Sequence, residues 1–211
     1  MSQPSSAVDR LLVDESGRRP RADARRNLER LVEAARIAVA EVGVGVSAHA
    51  IADRAGVGVG TFYRRIPSLQ VLLETVLDEI LDEIANVADR ALEDPDPWHG
   101  LCVFAAAYVR LRAESCGVSE ALGGACGDAL AQRLTELRGR IRRLVERAQA
   151  AGAMRTDIIW QDVPFLLAAA ATGEHTLGMQ ASDKQWERNL HIILDGLRPT
   201  PPSTLPGAAP A

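Results

Sequence analysis

Lysine is almost absent from this chain of 211 residues. Of its 24 basic residues only Lys184 is a lysine, and the others are arginines. A phosphate-binding loop of the Gly-Lys-Ser/Thr type needs a lysine directly after a glycine, and Asp183 precedes Lys184. The sequence therefore excludes this class of nucleotide-binding loop.

Cysteines and long apolar runs are also scarce. Cys102, Cys116 and Cys126 are an odd number of cysteines, and residues 1–14 lack the apolar core of a signal peptide. We therefore expect a cytoplasmic protein with reduced thiols. The longest apolar run, residues 163–171, is too short to span a bilayer, so no membrane contact is expected.

Residues that could form a catalytic or metal site are widely scattered. No two histidines have the spacing of metal ligands on a helix; they are His49, His99, His175 and His191. The glycines of residues 56–60 look like a dinucleotide-binding loop, but that loop must follow a strand, and this one follows a predicted helix. We expect no metal, no cofactor and no enzyme.

Charge is distributed unevenly along the chain. Residues 1–70 carry 11 arginines and 8 acidic residues, whereas residues 71–211 carry 13 basic and 20 acidic residues. The net charge of −4 alone argues against nucleic-acid binding. The division instead predicts a basic N-terminal part that can meet phosphates and an acidic remainder that need not.

Apolar residues recur every three or four positions through most of the chain, and no stretch has the alternation of a strand. The fold class is therefore all-α, with about nine helices. Residues 1–20 and 199–211 are rich in proline, serine or glycine and are predicted to be disordered tails. Helices are predicted at 22–42, 47–55, 58–65, 67–92, 97–115, 119–125, 127–151, 160–178 and 183–197.

Two short predicted helices have the arrangement of a helix-turn-helix. Ser47 can cap the first, residues 47–55, and Gly56 can redirect the chain into the second, residues 58–65. Such a unit inserts its second helix into the major groove of DNA while the first braces it against the backbone. A purely structural role for the unit is the alternative, but seven arginines between Arg18 and Arg36 favour DNA.

The stretch IADRAGVGVGTFYRRIPS, residues 51–68, followed by Leu72 and Leu73, resembles the signature of the TetR family of bacterial transcriptional regulators. The resemblance covers roughly residues 25–75. In two places the chain departs from the family pattern: Gly58 replaces the usual serine cap, and Leu69 replaces a lysine that touches a phosphate. Arg65 is placed to bind a phosphate in its stead.

The resemblance implies a three-helix DNA-binding domain at 21–66 and a ligand-binding and dimerisation domain at 67–198. The partner is double-stranded DNA with a palindromic operator, and the expected function is that of a ligand-responsive homodimeric repressor. The predicted DNA-binding residues are Arg25, Ser47, Ala48, Gly58, Val59, Thr61, Tyr63, Arg64 and Arg65.

The second predicted domain has apolar helices that a second subunit could cover. Residues 160–178 and 183–197 are predicted to form a four-helix interface between two copies of the chain. By resemblance, an unidentified small molecule binds under helices 97–115, 127–151 and 160–178. The predicted ligand-binding residues, each of which ordinary core packing could also explain, are Phe104, Tyr108, Cys126, Met154, Phe165 and His175.

Two alternatives concern the charges and the cysteines. The arginines of residues 127–151 are expected to be solvated or to face the acidic stripe of residues 74–83, although a second DNA surface is the competing interpretation. Cys116 and Cys126 flank a glycine-rich loop and could form a redox pair. The alternative function is thus a helical small-molecule-binding or redox enzyme whose N-terminal domain is only structural.

Overall fold

The computed structural model describes residues 7–11, 22–113, 128–171 and 175–199. The chain divides into two compact units. Unit 1 comprises Met1–Asp82 with Ser115–Arg133, and unit 2 comprises Glu83–Glu114 with Leu134–Ala211. The predicted helix 119–125, most of the predicted tails and Cys116 and Cys126 lie outside the described residues.

Besides the first residues of the helix Asp128–Ala150, the described part of unit 1 contains the N-terminal helices of the chain. Their bounds are Ala7–Leu11 (α1), Ala22–Val42 (α2), Ala48–Arg54 (α3), Val59–Arg65 (α4) and the first part of Leu69–Glu93 (α5). The apolar positions of these helices form one core in which Leu28, Leu31, Ile51, Phe62 and Ile66 are at most 1% exposed. Because α3 and α4 are only seven residues long, they depend on this packing for their stability.

The predicted tail at residues 1–20 is corrected for α1. Ala7 and Val8 are buried, and α1 packs against α2. The Ala7 backbone N–H donates a hydrogen bond to the Glu79 carboxylate on α5. The five residues of α1 are too few to show a helical period in the sequence, and packing against α2 supplies burial that stabilises the helix.

Unit 2 contains the later helices. They are the end of α5, Pro97–Ala113 (α6), most of Asp128–Ala150 (α7), Asp162–Ala170 (α8) and Gln185–Gly196 (α9). α6 packs against both α8 and α9, and α8 packs against α9. Leu101, Phe104, Leu144, Met154 and Leu167 are fully buried in the core of this unit.

The predicted helix 160–178 is wrong in its second half. α8 ends at Ala170, and two short antiparallel strands follow, His175–Thr176 (β1) and Met179–Gln180 (β2). The turn between them places Leu177 at φ 47° and Gly178 at φ 76°, which no helix tolerates. Leu177 is 94% exposed, so the segment gains no burial of this side chain that would favour a helix over the turn.

The prediction of an all-α protein is confirmed, since the described residues form helices apart from this hairpin. None of the helices within the described ranges is long and apolar enough to cross a membrane. The division into compact units does not test the predicted domain limits 21–66 and 67–198, which stay a prediction.

Candidate nucleic-acid interface and ligand site

The first helix of the predicted helix-turn-helix begins with a side-chain cap. The Ser47 hydroxyl accepts a hydrogen bond from the Ala50 backbone N–H at 3.2 Å, and Ser47 itself has extended backbone angles. This bond satisfies one of the free N–H groups at the start of α3. Ser47 is exposed, so a phosphate could also reach its hydroxyl.

The turn between α3 and α4 has the hydrogen bonds of a Schellman motif. Val57 N–H donates to the Ala52 carbonyl and Gly56 N–H donates to the Asp53 carbonyl, each at 3.0 Å. Gly56 has φ 65°, a conformation that strongly favours glycine. The turn therefore fixes where α4 starts.

The second helix has one buried side and one free side. Phe62 is fully buried and contacts Tyr63 edge to face, with ring centroids 5.0 Å apart. Tyr63 is 57% exposed, and Arg64 and Arg65 are exposed without an ion-pair partner among the described residues. An exposed aromatic ring and two exposed cations on one short helix can contact base edges and phosphates.

The other predicted DNA-binding residues fall into two groups. Arg25, Gly58, Val59 and Thr61 are exposed or half-buried, and Arg25 pairs with Glu29 at 3.0 Å. Ala48, in contrast, is only 6% exposed. This first residue of α3 faces the core of unit 1 and helps to hold the helix in place, and its contact with DNA stays a prediction.

An ion pair links α3 to α2. Arg54 donates two hydrogen bonds to the two carboxylate oxygens of Glu41, one of them at 3.0 Å. This guanidinium lowers the pKa of the Glu41 carboxyl below its ordinary value. The sequence indicated no partner for Arg54, because the two residues lie on different helices.

Two predicted ligand residues lie together on α6. Phe104 and Tyr108 stack with ring centroids 5.9 Å apart and an interplanar angle of 24°. Phe104 is fully buried and Tyr108 is 7% exposed. Met154, which follows α7, is also buried in unit 2.

Two of the remaining predicted ligand residues are exposed. Phe165 on α8 is 67% exposed, and His175 lies exposed on β1. A contact of either side chain with a ligand stays a prediction. Cys126 lies outside the described residues.

Sequence reasoning missed Arg112, one turn beyond Tyr108 on α6. Its guanidinium carbon lies 5.8 Å from the centroid of the Tyr108 ring. The Arg112 Nε is buried and has no hydrogen-bond partner within the part of the chain that the structure describes. An arginine next to apolar residues of a helix normally extends its charged group into water. The sequence therefore gave no sign that the Arg112 Nε would be buried.

Two of the arginines predicted to be solvated or to face the acidic stripe pair with carboxylates, one in each unit. In unit 1, Arg133 pairs with Asp78 at 3.1 Å and also with Asp82. In unit 2, Arg140 donates to Asp89 at 2.9 Å. Arg133 and Arg140 are therefore paired, whereas Arg138 and Arg143 on the same helix are exposed, and the second DNA surface stays a competing prediction.

A surface groove of about 870 Å³ lies on unit 1. Charged residues of α2, among them Arg26, Arg30 and Glu33, line it together with Arg54 and Ala55. None of the predicted ligand residues lies in this groove.

Metal and thiol chemistry find little support in the described residues. These residues contain no cluster of three His, Cys, Asp or Glu side chains that could hold a metal ion. Cys102 on α6 is half-buried, and burial raises the pKa of its thiol. A thiol of this kind is a weak nucleophile at neutral pH.

The helical units, with a capped α3, a Schellman turn and an exposed α4, are those of an all-α DNA-binding regulator. Comparisons with solved structures agree. A TetR transcription regulatory protein from Mycobacterium vanbaalenii is 32% identical with a TM-score of 0.56, over 84% of this chain and 98% of that one. The TetR transcriptional regulator SCO0520 from Streptomyces coelicolor is 27% identical with a TM-score of 0.58, over 82% and 98% of the two chains. A putative fatty acid metabolism regulator from Clostridium perfringens shares the fold, at 20% identity and a TM-score of 0.60, over 80% and 98%.

The chain belongs to the TetR family of transcriptional regulators. Residues 96–199 match the family model described as the C-terminal domain of SbtR-like transcriptional regulators. No curated protein matches the chain in sequence.

Proposed function

We propose that the protein is a homodimeric repressor that binds a palindromic operator through Gly58–Arg65 and is released by a small molecule. The outer face of α4 carries the proposal: Tyr63, Arg64 and Arg65 are exposed there, and none of the three has an ion-pair partner among the described residues. The capped start of α3 and the Schellman turn hold this face in a fixed orientation. Since a repressor works on the chromosome, the cytoplasm stays the expected location.

Two copies of the chain would present two such faces. Exposed apolar side chains on α8 and α9 support dimerisation, with Phe165 67%, Leu166 36% and Ile192 69% exposed. A twofold dimer reads two half-sites about 34 Å apart, or a multiple of that distance. A ligand in unit 2 would release DNA by as much as its affinity differs between the DNA-bound and free forms.

The test begins with an operator selected by the purified protein from random DNA fragments. We expect a palindromic consensus, and Tyr63→Ala should weaken binding to it about tenfold or more in a gel-shift titration. The reason is that Tyr63 offers both a ring for apolar base contact and a hydroxyl for hydrogen bonding. If Tyr63→Ala binds as tightly as the natural chain, α4 is not the reading helix.

A matched control uses arginines of unit 2. Arg138 and Arg143 on α7 are exposed and have no ion-pair partner among the described residues. The double variant Arg138→Gln/Arg143→Gln should leave operator affinity and its salt dependence unchanged, whereas Arg64→Gln/Arg65→Gln should weaken both. The opposite pattern would establish the second DNA surface instead.

A further inference from the structure

Arg112 is placed unusually for an arginine that stabilises a fold. The Nε atom is buried, yet no described residue accepts a hydrogen bond from it. No acidic side chain within the described residues pairs with the guanidinium. A buried donor without an acceptor is unfavourable, so its retention needs a reason other than packing.

The surroundings of Arg112 are apolar and aromatic. One turn before it, the Tyr108 ring centroid lies 5.8 Å from the guanidinium carbon, and Phe104 stacks on Tyr108 with ring centroids 5.9 Å apart. The planar guanidinium donates its hydrogen bonds in its own plane, so a ring on the side of its face does not occupy these donors. The Tyr108 hydroxyl is a second donor on the same face of α6, and it forms no hydrogen bond among those of the described residues.

We propose that Arg112 and Tyr108 form the polar end of a site in unit 2 for a small carboxylate with an apolar body. The carboxylate would accept hydrogen bonds from the guanidinium and the phenol, while the apolar body would contact the Tyr108 ring, since Phe104 is fully buried against that ring. The planar fork of an arginine matches the two oxygens of a carboxylate. A phosphate dianion would need more donors than these two side chains supply in such an apolar environment.

This inference rests on the proposed function, because it names the chemical class of the inducer. Binding is measured without DNA, so the two can fail separately. Benzoate and octanoate are titrated into the full chain by calorimetry, with benzamide and inorganic phosphate as comparisons. We expect at least one carboxylate to bind, and benzamide and phosphate to bind at least about tenfold more weakly.

Variants then assign the site. Arg112→Gln should weaken carboxylate binding about tenfold or more, and Tyr108→Phe, which removes only a hydroxyl, should weaken it several-fold. Arg110→Gln is the matched control, because Arg110 lies on the same helix, carries the same charge and is exposed. Tyr108→Phe also keeps the test decisive if Arg112→Gln does not fold.

Three results would overturn the proposal: neither carboxylate binds the natural chain, benzamide binds as well as benzoate, or both variants bind like the natural chain. Carboxylate binding that fails to release the selected operator would leave the ligand class intact. It would count instead against the ligand-responsive repressor.

Discussion

His99, on the first turn of α6, lies 2.6 Å from Asp94 through its Nδ1. This contact raises the pKa of His99 and lowers the pKa of the Asp94 carboxyl, which also accepts a hydrogen bond from the Asp96 backbone N–H. Arg147 and Asp96 are the other charged groups that act on the pair. His99 is 64% exposed, so its contribution to stability is small.

The pH dependence of this pair has a defined sign. Its stabilisation is lost as pH rises through the raised pKa of His99, and it is also lost as pH falls through the lowered pKa of Asp94. The pair therefore stabilises the fold most between about pH 4 and pH 6.5. In an NMR titration His99 should titrate above about 6.5, and Asp94→Asn should lower its midpoint. A midpoint that Asp94→Asn leaves unchanged would contradict the assigned contact.

At the scale of elements, the corner between α5 and α6 is held from two sides. Arg147 on α7 donates to the carbonyl of Leu92 at 2.5 Å and to that of Asp94 at 2.8 Å, which caps the end of α5. Gly100 on α6 lies directly against α5, where a Cβ would clash with the Ala91 carbonyl oxygen and lie 3.1 Å from the Asp94 Cβ. The close approach of α5 and α6 at this corner therefore requires glycine at position 100.

Gly100→Ala should therefore destabilise unit 2. Because the neighbour is backbone that cannot move aside, we expect a loss of about 1–3 kcal/mol in the free energy of unfolding, measured by denaturant titration. Gly139→Ala is the matched control on α7, where a Cβ meets nothing within 4 Å. It should stabilise the chain by about 0.5–1 kcal/mol, since alanine favours a helix over glycine. Equal effects of the two substitutions would contradict the close approach at Gly100.

Long amphipathic helices could be predicted from the sequence, whereas contacts between elements could not. The apolar period predicted α2 at 22–42, as observed, because each turn repeats the same signal. The hairpin at Leu177 was missed because its two-residue strands are too short to carry a period. Arg112 was missed because the burial of one nitrogen depends on neighbours that the chain brings together only when folded.

At the scale of the whole molecule, the exposed apolar side chains of unit 2 predict its association. Phe165→Glu and Ile192→Glu should each shift the protein from dimer to monomer in light scattering at micromolar concentration, because a charge in an apolar interface is costly. Val103→Glu is the control, since Val103 is 43% exposed on a different helix, α6. A natural chain that is monomeric would refute the interface, and dissociation by Val103→Glu alone would move it to α6.

The short helix α1 bears on where this chain can be shortened. Ala7 and Val8 cover apolar surface of unit 1, and the Ala7 amide is tied to Glu79. A fragment beginning at residue 21, the predicted start of the DNA-binding domain, would uncover that surface and leave the Glu79 carboxylate without this donor. Its solubility and yield would then report the removal of a five-residue cover rather than any defect in DNA recognition.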